Sequence, residues 1–315
     1  MVFQQTASMK PHFGIGLRLR AWWEGVDPAD LLDVQPQPKS RAVQKETSLV
    51  APLEDWENAR IRIMQMIWGA GWNMPGGTVH LSTLAKPAGL DPSKSVMVFG
   101  AGLGGAVRAI ATEYGVWTTG YEAENDLAHA GKHLSFVAGL DRKAEMQIYV
   151  PDDFEPSPNS FDCILSAEAL HRYMNKHELL GKFQRCLRPK GQLSMTDFVL
   201  APGVKPNDPR LKPFGKQQLE FWHTGQYEQR FRELSLDLRV TEDIGEKYRQ
   251  MILRSWAELA RGDPVKLATT RMFLREFEAE LACWANRLKA LESGVLQLQR
   301  FYIIKKSETR LMSDW

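Results

Sequence analysis

Two short stretches of the chain concentrate groups able to do chemistry. The first is Val96-Met-Val-Phe-Gly100-Ala-Gly102-Leu-Gly104-Gly105, an apolar run that breaks into closely spaced glycines. Glycines let a backbone turn sharply and approach a ligand where a Cβ would collide, the pattern of a nucleotide-binding turn between a strand and a helix. Glu122 follows Gly102 by 20 residues, at the end of the next strand, where a carboxylate can accept two hydrogen bonds from a ribose diol. Gly100, Gly102 and Gly105 also satisfy G-x-G-x-x-G, so a nicotinamide dinucleotide stays open on the motif alone. The second stretch is Ser166-Ala-Glu168-Ala-Leu-His171-Arg172-Tyr173. Glu168 there can hold an amine or take its proton, and His171 is a candidate base. The alternative for Glu168 is a carboxylate that only stabilises a helix N-terminus.

Both stretches need a scaffold, and the hydrophobic pattern supplies one. Short apolar strands are expected at 95–99, 117–121, 145–150, 161–166 and 192–199, separated by helices at 106–114, 125–138 and 176–187. Strands alternating with helices of this length imply an α/β fold with a doubly wound, Rossmann-like parallel sheet. Helices at 55–68 and 78–86 precede the first strand. Helices are also expected at 216–234, 246–261 and 264–291, with strands at 238–241 and 295–305. The domain reading is an N-terminal arm and linker over 1–50, one domain over 51–305 and a C-terminal tail over 306–315. Within the domain, a helical cap at about 246–293 is inserted before the last strand.

Composition narrows the function classes. The 315 residues carry 40 Lys+Arg against 38 Asp+Glu, a net charge of +2, which removes the electrostatic argument for a dedicated nucleic-acid binder. Three scattered cysteines, Cys163, Cys186 and Cys283, make neither a disulfide framework nor a zinc site, and no metal is expected. With no apolar run of membrane-spanning length and no signal peptide, a cytoplasmic protein is expected. For Trp22 and Trp23, within residues 16–24, two readings stay open: an arm packed on the domain, or a helix making peripheral membrane contact.

The downstream segments carry a resemblance. Asn159-Ser-Phe-Asp-Cys-Ile-Leu-Ser166 and Leu187-Arg-Pro-Lys-Gly-Gln-Leu193 resemble the fourth strand and the pre-fifth-strand turn of class I S-adenosylmethionine-dependent methyltransferases, whose sheet has seven strands. Gly102-Leu-Gly-Gly105, Glu113-Tyr-Gly115, Ser194-Met-Thr-Asp197-Phe and Trp68-Gly-Ala-Gly-Trp-Asn-Met-Pro-Gly-Gly77 are similar to the phosphoethanolamine, glycine/sarcosine and sterol methyltransferase group. The resemblance implies that Gly100, Gly102 and Gly104 line the methionine part of S-adenosylmethionine and that Glu122 takes its ribose. It also implies that Asp152 (or Asp153) meets its adenine and that Ser166 approaches its methionine end. S-adenosylhomocysteine would be the product. It further implies that Glu168 faces the acceptor and that Tyr248, with Trp222-His223, lies among acceptor contacts; relatives commonly place a histidine where this chain has Arg172. The expected activity is methyl transfer to a small-molecule acceptor, foremost an amine nitrogen. C-methylation of a lipid-like sterol, fatty acyl or quinone substrate, or cofactor binding without catalysis, are the alternatives.

Overall fold

A computed structural model describes residues 58–211, 218–262 and 271–307. The arm at 1–50, with its candidate interfacial segment at 16–24, and the tail beyond Ser307 lie outside the described residues. Two lead-in helices, α1 (Ala59–Trp68) and α2 (Gly77–Ala85), precede β1 (Ser95–Phe99), α3 (Gly105–Tyr114), β2 (Trp117–Glu122), α4 (Asn125–Val137), β3 (Ala144–Ile148), β4 (Phe161–Ala167), α5 (Lys176–Cys186) and β5 (Leu187–Leu200). Then come α6 (Thr224–Glu233), β6 (Leu236–Asp243), α7 (Gly245–Arg261), α8 (Arg271–Glu292) and β7 (Leu296–Lys305).

The strands form one sheet in the order β3-β2-β1-β4-β5-β7-β6. The first five strands in that order are parallel to their neighbours, whereas β7 runs antiparallel between β5 and β6. The side-chain period of two divides each strand between two covered faces. In β1, Val96 and Val98 pack with α2 and α3, while Met97 and Phe99 pack with α5. A third apolar cluster joins α1, α7 and α8 to Phe198 and Leu200 of β5. The cap is therefore inserted between β6 and β7, as its sequence position implies, and it packs on the lead-in helix α1. Trp68 of α1 and Trp284 of α8 meet there with ring centroids 4.5 Å apart.

Two expected boundaries are corrected. The segment Leu187–Leu193, expected as a turn before the fifth strand, is part of β5 itself. Lys190 at φ +65° and a register shift opposite Phe161 and Cys163 absorb its proline and glycine as a bulge, so the ladder continues past them. The helix expected at 216–234 begins only at Thr224. Leu219–His223 is non-helical instead: Leu200 N–H donates to Trp222 C=O (3.0 Å), and Gln226 Oε1 accepts from His223 N–H (2.8 Å) at the start of α6. The aromatic spacing of Phe221 and Trp222 thus serves an extended segment laid along the end of β5.

Phe183 of α5 is fully buried and packs edge-on against Phe99 of β1, centroids 4.9 Å apart. Phe183→Ala removes a large core side chain at a site closed on all sides by neighbours, so it should cost about 3–5 kcal/mol. Urea unfolding monitored by circular dichroism checks this; a loss below ~1 kcal/mol would mean that the core collapses to fill the space.

Candidate active site

The glycine turn is fastened from both sides. Gly100 and Ala101 N–H groups donate to Tyr121 C=O, each at 3.0 Å. Glu122, 3% exposed, reaches back from the end of β2: its Oε2 accepts from Gly102 N–H (2.7 Å), and its Oε1 from Ala123 N–H (2.9 Å) and Glu124 N–H (3.0 Å). A carboxylate offers roughly four acceptor positions, so three are already used by backbone. One acceptor position of Glu122 is left in this arrangement.

From the other side, residues 69–77 lie over the turn. Asn73 Oδ1 accepts from Leu103 N–H (3.3 Å), and its carboxamide stands within 2.1–2.5 Å of where a Cβ on Gly102 would be. Arg108 of α3 donates to Gly71 C=O (3.1 Å) and Leu103 C=O (2.9 Å); burial brings its guanidinium down to about 10. Gly104, at φ +74°, faces inward: a Cβ there would meet Met146 Sδ at 2.9 Å and Arg108 Nη1 at 3.0 Å. Its lack of a side chain serves packing against Met146 of β3 and Arg108 of α3.

A cavity of about 550 Å³ opens beside the turn, lined by Gly100, Glu122, Glu124, Tyr149, Pro151, Arg172 and Tyr173 among others. Tyr149 and Tyr173 stand parallel across it, 6.5 Å apart, and burial pushes the Tyr173 hydroxyl well above its usual range. Asp152 belongs to the single helical turn Pro151–Asp153 next to Pro151; its side chain lies outside the described residues. Ser166 is fully buried in β4 and is absent from the lining of this cavity and of the next.

A second cavity, about 400 Å³, lies between the end of β4 and the cap. Glu168, His171 and Arg172 form one wall, Phe198 and Leu219 another, and Glu276, Glu280, Trp284 and Arg287 of α8 the third. Glu124 and Arg172 line both cavities. Arg60 of α1 pairs with Glu124 at 2.5 Å, and Arg172 approaches the same carboxylate at 3.8 Å, so an ion triad stands where the two spaces meet.

Glu168 is the most engaged side chain of this wall. It is 3% exposed and holds a left-handed backbone, φ +46°, a strained conformation for a residue with a Cβ. Thr196 Oγ1 donates to its Oε1 at 2.6 Å, His80 Nε2 lies 2.9 Å from the same oxygen, and Tyr248 OH donates to its Oε2 at 3.3 Å. Tyr248 is fully buried, and burial raises its pKa well above 10, so its hydroxyl is a donor. It is missing from the lining of both cavities and meets the wall of the second through Glu168.

His171 is also buried and is oriented by Asp197 of β5. Its Nδ1–H donates to Asp197 Oδ1 (2.8 Å), an assignment required by an acceptor-only carboxylate, and its backbone N–H donates to the same oxygen (3.0 Å). Tyr227 OH donates to Asp197 Oδ2 (2.7 Å). The ring stands edge-on to Phe198 and parallel to Phe221. Burial lowers its pKa from 6.5 against the pull of Asp197, which keeps the imidazole neutral with Nε2 as its basic nitrogen. Trp222 sits elsewhere, buried over Lys176 Nζ.

Sequence reasoning missed His80, Thr196, Asp197 and Tyr227 as partners of these groups. Asp197 carried a signal: an acid inside the apolar run Leu193–Leu200 must find donors. Among the described residues no group of three or more side chains suits a metal ion, and no helix is long and apolar enough to cross a membrane.

Comparison with known proteins fits this architecture. Residues 97–193 match the family described as "Methyltransferase domain". The chain is 24% identical over 213 residues to 27-O-demethylrifamycin SV methyltransferase of Amycolatopsis mediterranei, covering 63% of this chain and 76% of that one. It is 24% identical over 242 residues to phosphoethanolamine N-methyltransferase 3 of Arabidopsis thaliana, covering 76% of this chain but about half (48%) of that protein's length. The structure of Haemonchus contortus phosphoethanolamine N-methyltransferase 2 in complex with S-adenosyl-L-methionine shares the fold, with a TM-score of 0.68 at 18% identity over 78% of this chain and 57% of that one. Residues 97–193 thus carry the methyltransferase-domain match, on a seven-stranded sheet with a glycine turn that has the class I methyltransferase fold. Within that class the chain is similar to the phosphoethanolamine N-methyltransferase group.

The depressed pKa of His171 has a consequence for stability. Below 6.5 the unfolded chain takes up a proton at this histidine that the folded protein resists, so the unfolded state binds more protons and stability falls as the medium is acidified. The His171 contribution is present above 6.5 and is lost below it. Melting temperatures measured from pH 7.5 to pH 5 should fall less steeply for His171→Gln than for the parent protein. Equal slopes would show that His171 charges freely in the folded state.

Proposed function

We propose that the chain methylates a small-molecule acceptor, foremost an amine nitrogen, with the glycine-turn cavity holding S-adenosylmethionine and the cap cavity holding the acceptor. The observation that carries this reading is that the two cavities meet at one wall, where Glu124 and Arg172 line both. Methyl transfer is an in-line displacement, so donor and acceptor must share an axis across such a junction. The cofactor cavity suits an adenosyl ligand: a buried carboxylate with one acceptor position left lies beside an aromatic wall at the carboxyl edge of the sheet, where open α/β sheets bind ligands. When bound, S-adenosylmethionine supplies a methyl group on a cationic sulfur and departs as S-adenosylhomocysteine.

The side chains of the second cavity do the rest. Glu168 offers a negative charge to an incoming ammonium. Before its lone pair can attack, that ammonium must lose a proton, and the neutral His171, held by Asp197, is the base that takes it. Burial of the wall excludes water, which strengthens both interactions. C-methylation of a lipid-like acceptor is the second reading, and the apolar lining by Met64, Met74, Leu127, Phe198 and Trp284 favours it.

Mass spectrometry of products from an amine panel and a lipid panel tests the acceptor class. Methylation confined to the lipid panel would replace the amine reading by the second one. On the cofactor side, Glu122→Ala should weaken S-adenosylhomocysteine binding about tenfold or more, because a charge-assisted hydrogen bond is worth roughly 1.5–3 kcal/mol. Titration calorimetry showing an unchanged Kd removes Glu122 from the site. On the acceptor side, Glu168→Gln and His171→Ala should lower turnover with cofactor affinity nearly unchanged. A general base contributes about 10²–10⁴-fold, which separates the base from a residue that only holds substrate. Full activity in both variants would leave alignment alone to account for the rate.

A further inference from the structure

His80 belongs to α2, a helix that comes before the sheet in the chain, yet its side chain is only 5% exposed and lies against Glu168. Its Nε2 lies 2.9 Å from Glu168 Oε1, and its ring stands 5.3 Å from that of Tyr248. As an N–H, this nitrogen is the second donor on Oε1, beside Thr196 Oγ1 at 2.6 Å. Oε2 receives only the longer contact from Tyr248, 3.3 Å. The donors are thus distributed unequally: two short bonds fix one oxygen, and the other keeps most of its acceptor capacity. A carboxylate side chain free to rotate would lose this distinction, and Glu168 has further reason to relax because its backbone is held at φ +46°.

We propose that His80 is a positioning residue for the acceptor: it pins Glu168 Oε1 so that Oε2 is presented to a cationic amine in the cap cavity. This rests on the amine reading above. His80 is absent from the lining of the cap cavity; it lines a small space of about 40 Å³ together with residues 72–75 and Gly77. Its action on the acceptor is therefore carried wholly by the carboxylate. The same arrangement makes the lead-in helix part of the acceptor site, since no other α2 side chain is bonded to the β4 edge among the described residues.

The test compares His80→Ala with His80→Gln, whose amide N–H reaches about as far as Nε2 and restores the donor. With phosphoethanolamine and sarcosine as acceptor probes, His80→Ala should raise the acceptor KM about tenfold to a hundredfold, the worth of a hydrogen bond to a charged group. The Kd for S-adenosylhomocysteine and the melting temperature of the cofactor complex should change little, and His80→Gln should bring KM back to within about threefold. A purely structural role would instead move melting temperature and cofactor affinity together and show no rescue by glutamine; that result, or an unchanged KM, overturns the proposal. Crystal structures of the two variants decide the matter independently of the acceptor. The Glu168 carboxylate should rotate in His80→Ala and return in His80→Gln, and a carboxylate that stays in place in both overturns the assignment. If the parent protein methylates neither probe, the amine reading fails and the crystal structures alone judge His80. Should His80→Ala fail to fold, His80→Asn, too short to reach Oε1, takes its place.

Discussion

A carboxylate taken out of water costs several kcal/mol unless donors surround it, and this fold buries three of them along one sheet edge. Glu122 ends β2, Glu168 follows β4 and Asp197 lies within β5; none is more than 3% exposed. Glu168 and Asp197 collect their donors from segments distant in sequence, and Glu122 takes one of its three from the glycine turn. The Gly102 amide joins those of Ala123 and Glu124 on Glu122, His80, Thr196 and Tyr248 serve Glu168, and His171 and Tyr227 serve Asp197. The need to satisfy these charges is what draws a lead-in helix, a cap helix and α6 to the same edge. Apolar packing could place those helices in many registers; the carboxylates accept very few.

The same edge carries a balance of charge that suits a polar acceptor. Arg60, Arg172 and Arg287 face Glu124, Glu168, Glu276 and Glu280 around a single cavity. Arg172 and Arg287 both lie near His171 and Tyr248, adding to the fall in pKa that burial causes at His171 and opposing the rise it causes at Tyr248. The neutral imidazole is thus favoured by burial and by two neighbouring cations, while Asp197 keeps its tautomer fixed. Of the neighbours His171 and Arg172, the imidazole is the one given a carboxylate partner within hydrogen-bond distance.

The strands of the parallel half were legible because each is a short apolar run bounded by glycine, proline or charge, and β1, β2 and β4 fall within a residue of expectation. The glycine turn and Glu122 were legible because a local motif encodes them. The bulge at Lys190 was not, since Arg188-Pro-Lys-Gly191 spells a turn equally well when a strand passes through it. The segment before α6 reads as helix because Leu219 and Trp222 stand three residues apart, yet Trp222 buries itself beside the end of β5 and Phe221 lies against His171. Least visible were the pairings. His80 and Glu168 are 88 positions apart, and no periodicity connects them. Asp197 alone announced itself, as an acid in an otherwise buried strand.

The contact between Trp68 and Trp284 has a kinetic side. It joins a helix at the start of the described chain to one near its end, so the loop it closes contains nearly the whole sheet. A contact between residues so far apart in sequence forms only after the chain between them has been brought together, which raises contact order and slows folding. Because Trp284 also lines the cap cavity, one wall of that cavity exists only in a chain whose first and last described helices have met.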